Sequence, residues 1–421
     1  MRLKLVPVIV LTILVSCQKT HDPREVLTLK GDWELFLDFD DEFGLEIGQI
    51  QYNDQISLPS SLDEAQKGKK EEVSNSTHQL ARNYSFYGKA WYRKEVEIPK
   101  NWQDKHIDLL IERTRVTHLW IDNEFAGSNT AISAPQTYNL SKYLTPGKHT
   151  ITIVVDNGKD CGLPESIGSS HMWTNATQTN WNGMLGEIKL TAKNPVHIET
   201  VKTVPDVAKK TVAVSVSIEN PGTAVAEMEL IISASLFNTG RSHTPEPATV
   251  KLDVKPGKHL YHAEYPLSND AVYWSEFSPA LYNLNIELKN INQKKPVDAI
   301  ETVTALRKFD INDKQFTING IKTYLRGKND ACVFPLTGYA PMETEQWTAY
   351  YEKIKAFGFN HVRFHSWCPP KAAFEAADLC GIYLQPELPF WGSLKNDPGH
   401  PVIQFLQAEG RAVLDAFANH P

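Results

Sequence analysis

Cysteine is scarce in this chain, with five residues in 421. They stand at positions 17, 161, 332, 368 and 380, with no Cys-x-x-Cys and no paired spacing. That pattern excludes a cysteine-built zinc site and names no disulfide, so Cys161, Cys332, Cys368 and Cys380 read as isolated core thiols. Basic runs are missing as well. The formal net charge is −7, and Lys and Arg never gather into the clusters that mark a nucleic-acid face. The apolar stretch near the N-terminus, "LVPVIVLTILVS", falls short of the ~20 residues that a membrane-spanning helix needs. What remains is an ordinary globular composition, 41% hydrophobic and 22% charged. Its length suggests about two to four domains. Nothing in it asks for a cofactor or a metal.

The N-terminal stretch has its own logic. Arg2 and Lys4 precede the apolar run, which ends in "LVSC", Leu14 to Cys17. Charge, length and terminal cysteine together resemble a bacterial lipobox, in which the cysteine receives lipid and becomes the mature N-terminus. Residues 1–17 are therefore expected to be a lipoprotein signal peptide, with Cys17 lipidated and the protein exported to the periplasm or outer membrane. A plain secretory signal is the alternative.

Residues 24–195 alternate strongly. "AWYRKEVEIP" (90–99), "IDLLIER" (107–113), "HLWIDN" (118–123) and "HTITIVVDN" (149–157) read as strands separated by turn signals such as "TPGKH". This predicts a β-sandwich of jelly-roll type. Residues 196–306 continue with "KTVAVSVSIEN" (210–220) and "AEMELIISASLF" (226–237), a rhythm that fits an immunoglobulin-like sandwich without the antibody Cys–Trp–Cys pattern.

From about residue 307 the period changes. "FTINGIKTYLRG" (316–327) predicts a short hairpin leading into a strand. "ETEQWTAYYEKIKAFG" (343–358) puts Trp347, Tyr350, Tyr351 and Ile354 on one helical face. "PPKAAFEAADLCG" (369–381) predicts a helix stopped by Gly381. "VIQFLQAEGRAVLDAFANH" (402–420) predicts a third helix, with Ile403, Leu406, Val413, Leu414 and Phe417 on its apolar side. "HVRFH" (361–365) and "IYLQPE" (382–387) are the strands between them. Strand and helix alternating three times implies parallel βαβ units over 307–421.

Parity sorts the side chains of those strands. Val362 and Phe364 should meet the helices. Arg363, His365 and Glu387 should converge on the opposite face, at the C-terminal strand ends. A structural ion pair between Arg363 and Glu387 is the alternative. Trp367 and Trp391 follow the two strands, and aromatic faces stack on the C–H faces of sugars. Core packing is the alternative for each. Asn329 and Asp330 stand at the same level after the first strand, where they would bond hydroxyls or serve simple turn chemistry.

"INGIKTYLRGKND", "FGFNHVRFHSWCPPKAAFEAADLCGIYLQPE" and the closing "FANHP" resemble glycoside hydrolase family 2, the group of β-galactosidases, β-glucuronidases and β-mannosidases. "TNWNGMLGEIKL" (179–190) is similar to the end of that family's sugar-binding domain. The resemblance implies a jelly roll, an immunoglobulin-like sandwich and the first three βα units of a TIM (β/α)8 barrel. It matches Arg363 to the arginine after "FN-x-V", Glu387 to a glutamate closing the third strand, and Asn329 to the asparagine of "RG-x-N". "FHSWCPP" replaces the galactosidase pattern "S-H-Y-P". "LPFWG" carries no carboxylate or histidine where magnesium-dependent galactosidases keep metal ligands. Neither galactose specificity nor a metal requirement is therefore implied.

Members of that family retain configuration with two glutamates ~5–5.5 Å apart. The family places the acid/base after "HP", in a fourth strand ending "NE", and the nucleophile on the seventh strand. The sequence given stops at His420–Pro421, so the expectation is an N-terminal portion that carries neither glutamate and does not hydrolyse substrate by itself. The expected partners are a glycan and, through the anchor, a membrane. The rival reading is a non-catalytic carbohydrate-binding lipoprotein whose sandwich aromatics, such as Trp173 and Trp181, hold the glycan. A purely structural or adhesive sandwich array is a third.

Overall fold

The computed structural model describes residues 23–72, 80–176, 179–394 and 397–421. Cys17 and the expected signal peptide lie outside the described residues. No helix among the described residues is long and apolar enough to cross a membrane.

Alternating hydrophobicity builds two successive sandwiches. In the first, a six-stranded antiparallel sheet runs Glu124–Asn129, Val116–Ile121, Gly147–Asp156, Lys89–Ile98, Gly31–Asp38, Asp54–Leu58. It faces a five-stranded sheet centred on Gly183–Lys193 and His106–Arg113. Ile107, Leu109 and Ile111 of the second sheet meet Leu35, Tyr92, Ile151 and Ile153 of the first in one core. The period-2 rule explains Trp91: it stands between Ala90 and Tyr92, so it emerges on the outer face, where it stacks on Trp120 at 5.6 Å.

The second sandwich packs three strands (His197–Asp206, Thr211–Asn220, Gly257–Pro266) on four (Ala248–Val254, Ala226–Phe237, Leu281–Asn290, Asp298–Thr304). Val212, Val214, Val216 and Ile218 of the first sheet interlock with Leu230, Ile232, Leu284 and Ile286 of the second. The described cysteines carry no disulfide; Cys161 and Cys368 are buried thiols.

A hairpin then turns at Asn319–Gly320, both with positive φ (52° and 79°), the geometry that favours Asn-Gly. Three parallel strands follow, Gly327–Asp330, His361–Phe364 and Tyr383–Pro386, in that order across one sheet. They alternate with helices α1 (Thr344–Ala356), α2 (Lys371–Cys380) and α3 (Pro401–Phe417). Trp347, Tyr351 and Ile354 bury one face of α1, as the sequence spacing requires. Gly381 ends α2 in the left-handed conformation, φ 71°, and a Cβ there would lie 2.8 Å from the Glu276 carbonyl oxygen. Glycine is the residue that suits both constraints.

The third helix departs from its expected apolar stripe. Leu414 is 61% exposed, whereas Glu409 is buried. The Glu409 carboxylate accepts hydrogen bonds from the backbone amides of Ile132 (3.1 Å) and Ser133 (3.0 Å) in the first sandwich. Two backbone donors compensate its burial, so a charged residue holds the docking face of α3. Trp274 of the second sandwich similarly donates from Nε1 to the Asp378 carbonyl of α2 at 2.9 Å. These contacts fix both sandwiches against the parallel sheet.

Candidate functional site

The site grows out of strand parity. Residues paired across parallel strands share a face, and Asn329, Arg363 and Gln385 are paired in register. Their neighbours Val362 and Phe364 are fully buried against the helices. Arg363 and Asn329 are thereby left on the open face.

At the strand ends, Arg363 Nε donates to Glu387 Oε1 at 2.5 Å, and the Ser366 amide donates to Glu387 Oε2 at 2.7 Å. His365 Nδ1 lies 3.7 Å from Glu387 Oε2, too far for a hydrogen bond. Among the described residues that buried nitrogen has no hydrogen-bond partner. The ion pair which the sequence offered as an alternative is thus present. It is partly open to solvent, and it fixes the orientation of the carboxylate.

Trp391 is 55% exposed, with its ring 5.0 Å from that of His365. A residue not anticipated from the sequence completes this wall. His171, from the first sandwich, stacks on Trp391 at 5.8 Å and meets His365 edge-on at 5.1 Å. Its backbone amide donates to the buried Ser366 hydroxyl at 2.9 Å. Burial, and then the neighbouring His365, lower the His171 pKa below the ordinary histidine value. Its position depends on the docking of a loop nearly 200 positions upstream (|i−j| = 195), and no local motif in "SSHMW" announces that.

Two expected residues lie elsewhere. Trp367 is 1% exposed, packed edge-on against Phe364 at 4.9 Å and near Phe334 and Trp347. Simple alternation would place it on the same face as Arg363 and His365. Ser366 instead adopts a left-handed conformation, φ 51°, which breaks the alternation and sends the indole back into the core. The expectation of a sugar-stacking face at Trp367 is corrected accordingly. Its role is to tie the strand ends: Nε1 donates to the Asp330 carbonyl at 3.0 Å, and its own carbonyl accepts from the Glu387 amide at 3.1 Å.

Asp330 is the second correction. It pairs in register with Phe364 and so faces the helices. Its carboxylate accepts from Tyr350 Oη (2.5 Å), Lys328 Nζ (3.0 Å) and the Cys332 amide (2.9 Å). Burial, then the charge of Asp330, push the Tyr350 hydroxyl pKa far up, so the tyrosine remains a donor. Turn and packing chemistry account for Asp330.

The sandwich aromatics of the rival reading are occupied as well. Trp173 and Trp181 flank the Arg115 guanidinium at 5.1 and 4.3 Å, and Arg115 also donates to the carbonyls of Trp181 and Met172. Burial pulls the Arg115 pKa down, to about 9. A cavity of about 30 Å³ lies beside it, lined by His171, Trp181, Cys332, Tyr339 and Trp367 among others. That volume suits a water or two, whereas a sugar-sized ligand needs ~300 Å³ or more. A wider cleft of about 310 Å³, lined by Tyr87, Asn157, Trp173 and Asn175 among others, opens on the first sandwich.

Comparison with known proteins agrees with this architecture. Residues 27–180 match the family model "Glycosyl hydrolases family 2, sugar binding domain", and residues 196–307 match "Glycosyl hydrolases family 2". A β-galactosidase of Thermoanaerobacter pseudethanolicus is 23% identical over 383 residues, covering 89% of this chain and 48% of that protein. A putative β-glucuronidase of Formosa agariphila is 23% identical over 346 residues, covering 79% of this chain and 38% of that protein. Among solved structures, a Bacteroides uniformis β-glucuronidase superposes with a TM-score of 0.74 at 18% identity, covering 94% of this chain and 46% of the other. A putative β-galactosidase from Bacteroides fragilis gives 0.74 at 17% identity, with 94% and 57% covered. The chain spans about half the length, or less, of these two curated relatives. The two family models together take in both sandwiches, and the chain belongs to glycosyl hydrolase family 2.

Proposed function

We propose that this chain forms the sugar-positioning part of an exported, retaining exo-β-glycosidase, and that its three parallel strands are the first three of an eight-stranded TIM barrel. The observation that carries the reading is the convergence of Arg363, His365, Glu387, Trp391 and His171 at the C-terminal ends of parallel strands. TIM-barrel enzymes place their chemistry at that end. In this reading Trp391 offers an apolar face to a pyranose ring. Asn329 meets hydroxyls, and Arg363 holds Glu387 oriented toward the sugar.

Retention needs two carboxylates ~5–5.5 Å apart, one protonating the leaving group and one attacking the anomeric carbon. Among the described residues the open face of the strand ends supplies one, Glu387, already engaged by Arg363 and the Ser366 amide. We therefore assign Glu387 to positioning, and the acid/base and nucleophile to the part of the relatives' length that this chain does not span. On the evidence of "LVSC" we also propose lipidation at Cys17. Trp181, buried against Arg115, is disfavoured as the platform of the lectin alternative.

The test is turnover of a panel of nitrophenyl β-glycosides, galactosides and glucuronides included. The 421-residue chain should show none above background, while the protein purified from its host should hydrolyse at least one. Enzyme-like rates from the 421-residue chain alone would place both catalytic carboxylates within it and overturn the assignment.

A further inference from the structure

The seam between the two sandwiches holds a second group of titratable side chains, far from the strand ends. His197 opens the strand His197–Asp206 and pairs in register with Glu219. The ladder slips between Ile198 and Thr200, so Glu199 is an extra residue whose carboxylate lies beside His197. His106 and Asp108 face them from the first sandwich, with the His106 and His197 rings 4.4 Å apart.

Both imidazoles are held in the same chemical sense. His197 Nδ1 lies 3.1 and 3.0 Å from the backbone carbonyls of Asn194 and Pro195, so that nitrogen carries the proton. His197 Nε2 is then a lone pair. It is buried in a residue of 0% exposure and has no hydrogen-bond partner among the described residues. Its near neighbour is Glu199 Oε2 at 3.4 Å, and contact with His197 is the first cause that lowers the Glu199 pKa. His106 Nε2 lies 2.9 Å from Asp108 Oδ1, which leaves Nδ1 as its lone pair. The Glu219 carboxylate has no hydrogen bond or ion pair among the described residues, while its backbone pairs with His197 and Lys258 in the ladder. One ligand atom each from His106, His197 and Glu219 lie within 4.8 Å of one another.

A ring nitrogen fixed by a carbonyl or a carboxylate, with the other nitrogen turned inward, is how metal-ligating histidines are oriented. Two imidazoles and a carboxylate with ligand atoms this close are stabilised by a shared cation. Lys193 and Lys258 do not fill that role for the core of the group: Lys193 pairs with Asp108 and Glu199, and Lys258 with Glu199. We propose that His106, His197 and Glu219 bind a divalent transition-metal ion at the seam, Zn²⁺ by the preference of two imidazoles and one carboxylate, and that the ion clamps one sandwich to the other. Around tetrahedral zinc, ligand atoms ~2.1 Å from the ion stand about 3.4 Å apart, so the observed spread needs only side-chain adjustment. Cysteine spacing gave no sign of this site because its donors are imidazoles and a carboxylate from three separate strands.

The test uses Zn²⁺ itself on the metal-stripped, purified 421-residue protein. Titration calorimetry and metal analysis after gel filtration give affinity and stoichiometry for wild type, His197→Gln and Glu219→Gln. Wild type should hold one more zinc per chain than either variant. Zinc at a hundredfold excess over Kd should raise its unfolding midpoint by about 4 °C or more, a gain that the variants lose. Glu219→Gln removes a half-exposed ligand, so it reports even if His197→Gln fails to fold. Equal zinc content in wild type and Glu219→Gln would overturn the proposal. So would a zinc-independent midpoint that rises as pH falls through the histidine range, because a proton on the His106–His197 pair would then be the cation.

Discussion

On one face of the parallel sheet Val362, Phe364 and Trp367 lie against the aromatic side of α1, and the Asp330 carboxylate is held by Tyr350, Lys328 and the Cys332 amide. On the other face, Asn329, Arg363 and His365 look outward from the same strands, and one buried nitrogen has no partner among the described residues. The two faces share a backbone and are separated by single steps in the sequence. The first is closed, and changes there should cost stability. The second is polar, half-open and tied down at one carboxylate, and changes there should cost recognition of a ligand while the fold persists.

The largest effect should come from the closed face. Trp367→Ala removes a large buried side chain and a hydrogen bond between strand ends, which should destabilise the protein by about 3–5 kcal/mol. Denaturant titration of the variant checks this, and a loss below about 1 kcal/mol would mean that the indole is not part of the core. Tyr350→Phe should cost less, about 1–2 kcal/mol, because the buried Asp330 carboxylate loses one donor and keeps two. The same titration on that variant measures it.

The smallest effect is electrostatic and belongs to the open face. Burial, and then His365, depress the His171 pKa below the ordinary histidine value of about 6.5. For a base, a depressed folded-state pKa means that the unfolded chain takes up the proton first. Stability from this residue is then present above pH ~6.5 and lost as pH falls through the lower folded value. NMR titration of the His171 ring should give a midpoint below 6.5, and a midpoint above it would place the ring outside the His365–Trp391 cluster.

Much of this was legible from residues alone. The parity of "HVRFH" separates Val362 and Phe364 from Arg363, and Gly381 marks the end of its helix because glycine readily ends helices. Four features were not legible. The left-handed turn at Ser366 reverses the fate of Trp367 through one dihedral angle, and serine gives no signal for it. The side taken by Asp330 depends on where its strand begins, and a one-residue shift flips every side chain. His171 reaches the site only through docking of a loop from another domain, and a single chain read in order gives no warning of that. Glu409 belongs with these: a carboxylate on an apolar helix face makes sense only with the Ile132 and Ser133 amides in view.

The central claim is that Glu387, fixed by Arg363 and Ser366, orients a sugar without holding up the fold. Glu387→Gln in the protein as its host produces it tests this most directly, by steady-state kinetics on the nitrophenyl β-glycoside that the wild type turns over best and by thermal unfolding of the same sample. The account predicts a fall in kcat/KM of about 100-fold or more, close to 2.7 kcal/mol of lost transition-state stabilisation, with stability changed by less than about 1 kcal/mol. Wild-type kcat/KM in a variant that has lost stability would contradict it, and would make the Arg363–Glu387 pair a structural bridge.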